Sequence, residues 1–97
     1  MKVAILRINL HIPAARSLKG KRQVLRSLKD RLFSRFNLSV AEVGAQDLWQ
    51  RAEIGVAQVA IDAKSADAAM QKIEGFIHQH PGCAVLDVAR EIIEGPG

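Results

Sequence analysis

The chain opens on alternation. Ala4, Leu6, Ile8, Leu10 and Ile12 fall on one side, and Arg7, Asn9 and His11 on the other. A period of two with one polar side describes a half-buried strand over Lys2 to Ile12. Pro13 ends it, because proline brings no N–H to a ladder, and Pro13 to Arg16 forms a short connection. The period then lengthens. Leu18, Leu25, Leu28, Leu32 and Phe36, with Val24 at the edge, share one face of a helix. Ser17 is its expected N-cap, since a hydroxyl there accepts from a first-turn N–H, and Asn37 closes it. Lys21 falls inside the apolar stripe and must snorkel or find a partner.

Leu38 to Val43 is a second strand, and Gly44 to Asp47 a turn. Ala52 to Ile61 is a third strand, with Ile54 and Val56 on one face and Val59 and Ile61 on the other. A strand apolar on both faces belongs inside its sheet. Ser65 is the expected cap of a second helix, with Asp67 near its positive end. Ala66, Ala69, Met70, Ile73 and Ile77 line that helix's inner face, and His80-Pro81-Gly82 stops it. Cys83 to Ile93 is a fourth strand. The order is βαββαβ, and right-handed crossovers lead to one α+β arrangement. It is ferredoxin-like, a four-stranded antiparallel sheet with both helices on one face. Residues 1–94 form one domain and 95–97 a short tail.

Composition narrows the function classes. Ninety-seven residues make one domain, 48% apolar, with Cys83 the only cysteine. That removes an internal disulfide and any multi-cysteine metal site. The N-terminus lacks a signal-peptide layout, and no apolar run approaches the roughly 20 residues of a membrane span. A cytoplasmic location with no membrane contact is expected.

Charge changes the picture more. Between Arg16 and Phe36 lie eight of the fourteen basic residues and one acid, Asp30. That stretch carries +7 against +4 for the whole chain, so the remainder sums to −3. Lys19, Arg22, Arg26 and Lys29 follow at spacings of three, four and three, which makes one row on a helix. Like charges so placed repel by a few tenths of a kcal/mol per pair (about 0.2–0.5). Gly20, inside the helix, costs about 1 kcal/mol relative to Ala, less near an end. A solvated face more often mixes signs. A row of one sign suits phosphates, whose binding releases counterions. The expected nucleic-acid contacts are Arg16, Lys19, Lys21, Arg22, Arg26 and Lys29.

Three blocks carry a resemblance: Ala15-Arg16-Ser17-Leu18-Lys19-Gly20-Lys21-Arg22, then Phe36 to Val43 (FNLSVAEV), then Gln46-Asp47-Leu48-Trp49-Gln50-Arg51-Ala52. In this order they resemble the YlxP-like family of small bacterial proteins, over nearly the whole chain from Lys2 to Ile93. The resemblance implies a ferredoxin-like fold in a domain of unknown function. The genes often neighbour those of translation initiation and ribosome maturation factors, which implies a translation or RNA context by association. Gly20 departs from the pattern, where Glu is expected, and that removes half of a capping box with Ser17. The family lends no catalytic residues.

Other candidates are thinner. The face expected to be free of helices carries Arg7, Asn9 and His11 but no aromatic residue on the first and third strands, so RNA recognition by stacking there is not expected. Its remaining apolar surface suits a homo-oligomer. Asp47, Trp49 and Arg51 form a candidate interaction loop. In the other reading Trp49 lids the core end and Asp47 pairs with Arg51. His78 and His80 lie about 200° apart on a helix and have no further ligand at metal spacing; a charged His there suits the helix dipole. Cys83 reads as a small buried hydrophobe. No phosphate loop, nucleophile elbow or paired carboxylates are present, so neither catalysis nor a cofactor is expected. The expected function is a non-catalytic RNA- or ribosome-associated module acting through the basic first helix. Two alternatives stand beside it: a homo-oligomeric protein-interaction module, and a small-molecule-sensing domain or cryptic enzyme using the connection from Pro13 to Ser17.

Overall fold

A computed structural model describes residues 1–97. Its elements are β1 (Lys2–His11), α1 (Leu18–Arg35), β2 (Ser39–Gly44), β3 (Arg51–Ala60), α2 (Ala63–His78) and β4 (Ala84–Glu94). The four strands form one antiparallel sheet in the order β2-β3-β1-β4. The chain thus has the expected ferredoxin-like architecture, and the two-faced strand β3 lies inside the sheet.

The alternation in β1 sets the layers. Ala4, Leu6, Ile8, Leu10 and Ile12 are all buried, whereas Arg7 is exposed. They form one core with Ala52, Ile54 and Val56 of β3, Leu25, Leu28 and Leu32 of α1, and Ala66, Met70, Ile73 and Ile77 of α2. Both helices therefore cover the same face of the sheet. A core of Leu, Ile, Val and Ala supplies the stabilisation, each fully buried large aliphatic side chain contributing about 1.5–3 kcal/mol.

Several boundaries shift for stated reasons. Ser17 caps α1 as expected, its Oγ accepting from the Gly20 N–H at 3.0 Å. The other end of α1 comes one residue early. Phe36 is extended and caps it, donating its N–H to the Leu32 carbonyl at 2.8 Å, and its ring meets Phe76 edge-on at 5.7 Å. The cap of α2 is Asp62 and not Ser65. Asp62 Oδ1 accepts from the Ser65 N–H at 2.8 Å, so the helix begins a turn earlier. Both residue types cap well, and Asp62 does so by accepting from one of the unpaired first-turn N–H groups. β4 runs Ala84–Glu94, and the Gly95 N–H donates to the Met1 carbonyl at 2.8 Å, tying down the start of the tail.

Candidate nucleic-acid interface

At about 100° per residue, the residues of α1 divide into three stripes. The buried one holds Leu25, Leu28, Leu32 and, among them, Lys21. Lys21 is 1% exposed, the most buried charged residue in the chain. Its Nζ donates to the carbonyls of Ala45, Gln46 and Arg51 at 2.8, 3.2 and 3.2 Å. Glu42 Oε2 lies 2.8 Å from the same nitrogen. An ammonium has three protons, and the three carbonyls take them. Glu42 Oε2 accordingly receives the charge without a hydrogen bond. Lys21 is therefore withdrawn from the expected phosphate contacts. It ties α1 to β2 and to the loop between β2 and β3, and it neutralises the acid beneath the helix.

The second stripe is the basic row. Arg16, Lys19, Arg22 and Arg26 are exposed and Lys29 is half-buried. The four ion pairs of the protein are Lys2–Glu94, Arg7–Glu53, Lys21–Glu42 and Arg90–Glu74, and none includes a member of this row. Glu42, the one acid of β2 that lines the groove beside the row, is taken by Lys21. Arg16 alone has an internal acceptor, the Pro13 carbonyl at 3.1 Å. Between this row and β2 runs a shallow concavity of about 290 Å³, lined by Arg22, Leu25, Arg26, Lys29, Asp30, Phe33 and Glu42. Nothing in the linear pattern singled out Phe33. It is 52% exposed, and its helical spacing from Lys29, Arg26 and Arg22 is the signal that could have found it.

The third stripe turns towards α2. Arg31 lies beside His80, and Arg35 sits 5.4 Å over the Phe76 ring. His80 is buried, against the expectation of a charged imidazole at a helix end. Burial first, and then Arg31, hold its pKa below the usual 6.5. His78 is exposed in the last turn of α2. Cys83 is half-buried against the core, and burial pushes its thiol pKa up. No group of three His, Cys, Asp or Glu side chains is gathered for a metal.

The loop between β2 and β3 departs from its core-lid reading. Trp49 is 54% exposed and Leu48 50% exposed. Asp47 and Arg51 form no ion pair; Arg51 contributes its carbonyl to Lys21 instead. Ala45 takes positive φ (56°) at the start of this loop, and Lys21 holds the carbonyls at both of its ends. In the connection from Pro13 to Ser17 the carbonyls of Pro13 and Ala15 are already matched, each accepting from Gln50 Nε2, at 3.1 and 3.2 Å. The concavities beside α1, on the sheet face and at the Trp49 loop include none of residues 13–17. No helix is long and apolar enough to cross a membrane.

Comparison with known proteins adds a family. The model of the family described as "Protein of unknown function (DUF503)" matches residues 3–90. The "Uncharacterized protein YlxP" of Bacillus subtilis (strain 168) is 39% identical over 67 residues, which are 69% of this chain and 73% of that protein. A de novo designed protein with a ferredoxin fold, solved by solution NMR, aligns over 100% of this chain and 89% of its own. Its TM-score is 0.43 and its identity 12%.

Proposed function

We propose that this chain, which belongs to the YlxP-like family of proteins of unknown function (DUF503), is a non-catalytic RNA-binding module, with a ribosome or ribosomal RNA as the expected context. The observation that carries the reading is the free basic row of α1. Lys19, Arg22, Arg26 and Lys29 lie on one side of one helix, Arg16 just precedes its cap, and no acid of the chain pairs with any of them. The fold contains a device that helps to keep the row free: Lys21, from beneath, neutralises Glu42, which lines the same groove as Arg22, Arg26 and Lys29. Folding gains little from a self-repelling row, whereas a polyanion gains from each cation through counterion release. Crosslinking in cells, with bound RNA identified for the wild type and for an Arg22→Glu, Arg26→Glu variant, tests it. RNA recovered with the wild type and lost with the variant supports the reading, and equal recovery rejects it.

A second reading, docking to a protein partner, is favoured by Leu48 and Trp49, exposed side by side on a loop that Lys21 fixes at both ends. Self-association through the helix-free sheet face belongs with it, since Val59 and Ile93 are 66% and 41% exposed there. Trp49→Ala weakening a protein complex while leaving RNA retention unchanged would separate the two readings.

A further inference from the structure

Phe33 stands on the same side of α1 as the cations and lines the same concavity as Arg22, Arg26 and Lys29. It is 52% exposed and contributes nothing to the core. Its ring is also unoccupied. The protein's single aromatic pair is Phe36 with Phe76, and its single cation–π contact is Arg35 over Phe76. The concavity floor is Leu25 and Glu42, and Glu42 is neutralised by Lys21. That leaves three cations around the groove against one free carboxylate, Asp30. An apolar ring flanked by free cations matches two parts of a nucleotide at once, the face of a base and the phosphates beside it. A base can reach that ring only when it is out of a duplex, because paired bases present edges and not faces.

We propose that the groove between α1 and β2 binds single-stranded RNA, with one unpaired base stacked on Phe33 and the flanking phosphates held by Arg22, Arg26 and Lys29. The proposal rests on the RNA-binding reading above and adds the strand state and the stacking residue. It also moves the stacking platform from the sheet, the usual place in RNA-recognition modules of this topology, to a helix. The sheet face of β1 and β3 carries no Phe, Tyr or Trp side chain.

Fluorescence anisotropy with a labelled oligoribonucleotide of about ten nucleotides, single-stranded or annealed to its complement, tests it at several salt concentrations. The wild type binds the single strand more tightly than the duplex. Phe33→Ala loses about 5- to 150-fold on the single strand, the range set by one stacked base. It keeps the salt slope, because the phosphate contacts remain. Phe33→Trp, built in a Trp49→Phe background, retains affinity, and its fluorescence changes on binding. Arg22→Glu with Arg26→Glu loses affinity for both forms. If Phe33→Ala binds the single strand as the wild type does while the double Glu variant fails, the stacking inference is overturned and the RNA-binding reading stands. If the double Glu variant binds as the wild type does, or the wild type binds neither form, both are overturned.

Discussion

Lys21 Nζ lies 2.8 Å from Glu42 Oε2 across the gap between α1 and β2, while its protons go to the carbonyls of Ala45, Gln46 and Arg51. One side chain thus fixes the helix, the edge strand and the hairpin loop relative to one another. It also neutralises Glu42, an acid that lines the same groove as Arg22, Arg26 and Lys29. An ion pair at this depth is not evidence of stability in itself. It is evidence that losing either partner is expensive, because the remaining one is left in a poorly solvated place.

Lys21→Met therefore strands Glu42 Oε2 and three carbonyls. It lowers the free energy of unfolding by about 3 kcal/mol, read as a fall in the urea midpoint. Adding Glu42→Leu recovers much of that loss, since a matched apolar pair no longer buries a lone charge. A Lys21→Met protein as stable as the wild type would show that the cluster is not a structural tie.

Gly20 is the third residue of α1, with the helix start already capped by Ser17. A Cβ there would meet the Ser17 Oγ at 3.4 Å and the Ala15 Cα at 3.9 Å, ordinary contact distances. Gly20→Ala is accordingly expected to stabilise by about 0.5–1 kcal/mol, with RNA affinity unchanged. Gly20→Glu would add the reciprocal half of a capping box and weaken polyanion binding slightly through its charge. Thermal melts and the anisotropy assay separate the two effects.

His80 makes stability depend on pH in a definite direction. Its folded pKa lies below 6.5, from burial and from Arg31, so the unfolded chain takes up the proton first as pH falls. The stabilisation is present above about 6.5 and is lost as pH falls through the depressed folded value. The charged group facing it from α1 is Arg31; α2 and the following turn bring Gln79 and Pro81. His80→Gln flattens that limb of the stability–pH curve, measured by denaturation between pH 5 and 8 (the window about His pKa values). An unchanged curve would show that another group controls it.

Asp62 accepts from the Ser65 N–H, and that bond holds its carboxyl pKa below the usual value of 3.8. Asp62→Ala is expected to lower the melting midpoint more than Ser65→Ala, because the bond uses the Ser65 backbone and the Asp62 side chain. The reverse order would restore Ser65 as the cap.

The fold was legible because its signals are periodic. The alternation over β1, the stripe of Leu25, Leu28 and Leu32, and the turn signals between strands all point to one topology. Lys21 was legible as a misfit, since a cation in an apolar stripe must find a partner. Its partners were not, because Glu42 and the carbonyls of residues 45, 46 and 51 come within reach only when β2 and its loop fold beneath α1. The same holds for His80. A histidine after a helix reads as a charged cap until packing on α1 removes its water. Trp49 was readable as a loop residue, and its exposure contradicts only the alternative in which it lids the core. Phe33 carried no signal of its own until the folded chain showed its ring standing in solvent beside the cations. Five cations of the basic row were readable from spacing, and the sixth candidate, Lys21, fell out because spacing alone does not tell a side chain that points beneath the helix from one beside it.

The central claim is that the free cations of α1 bind the phosphates of RNA. It is tested most directly by the dependence of RNA affinity on salt. With Arg16, Lys19, Arg22, Arg26 and Lys29 each neutralising one phosphate of a single strand, log affinity falls against log salt with a slope of about −3 to −4. Arg22→Glu with Arg26→Glu makes the slope shallower by at least about 1.4, two contacts' worth. An affinity independent of salt, or a slope the double variant leaves unchanged, would contradict the account.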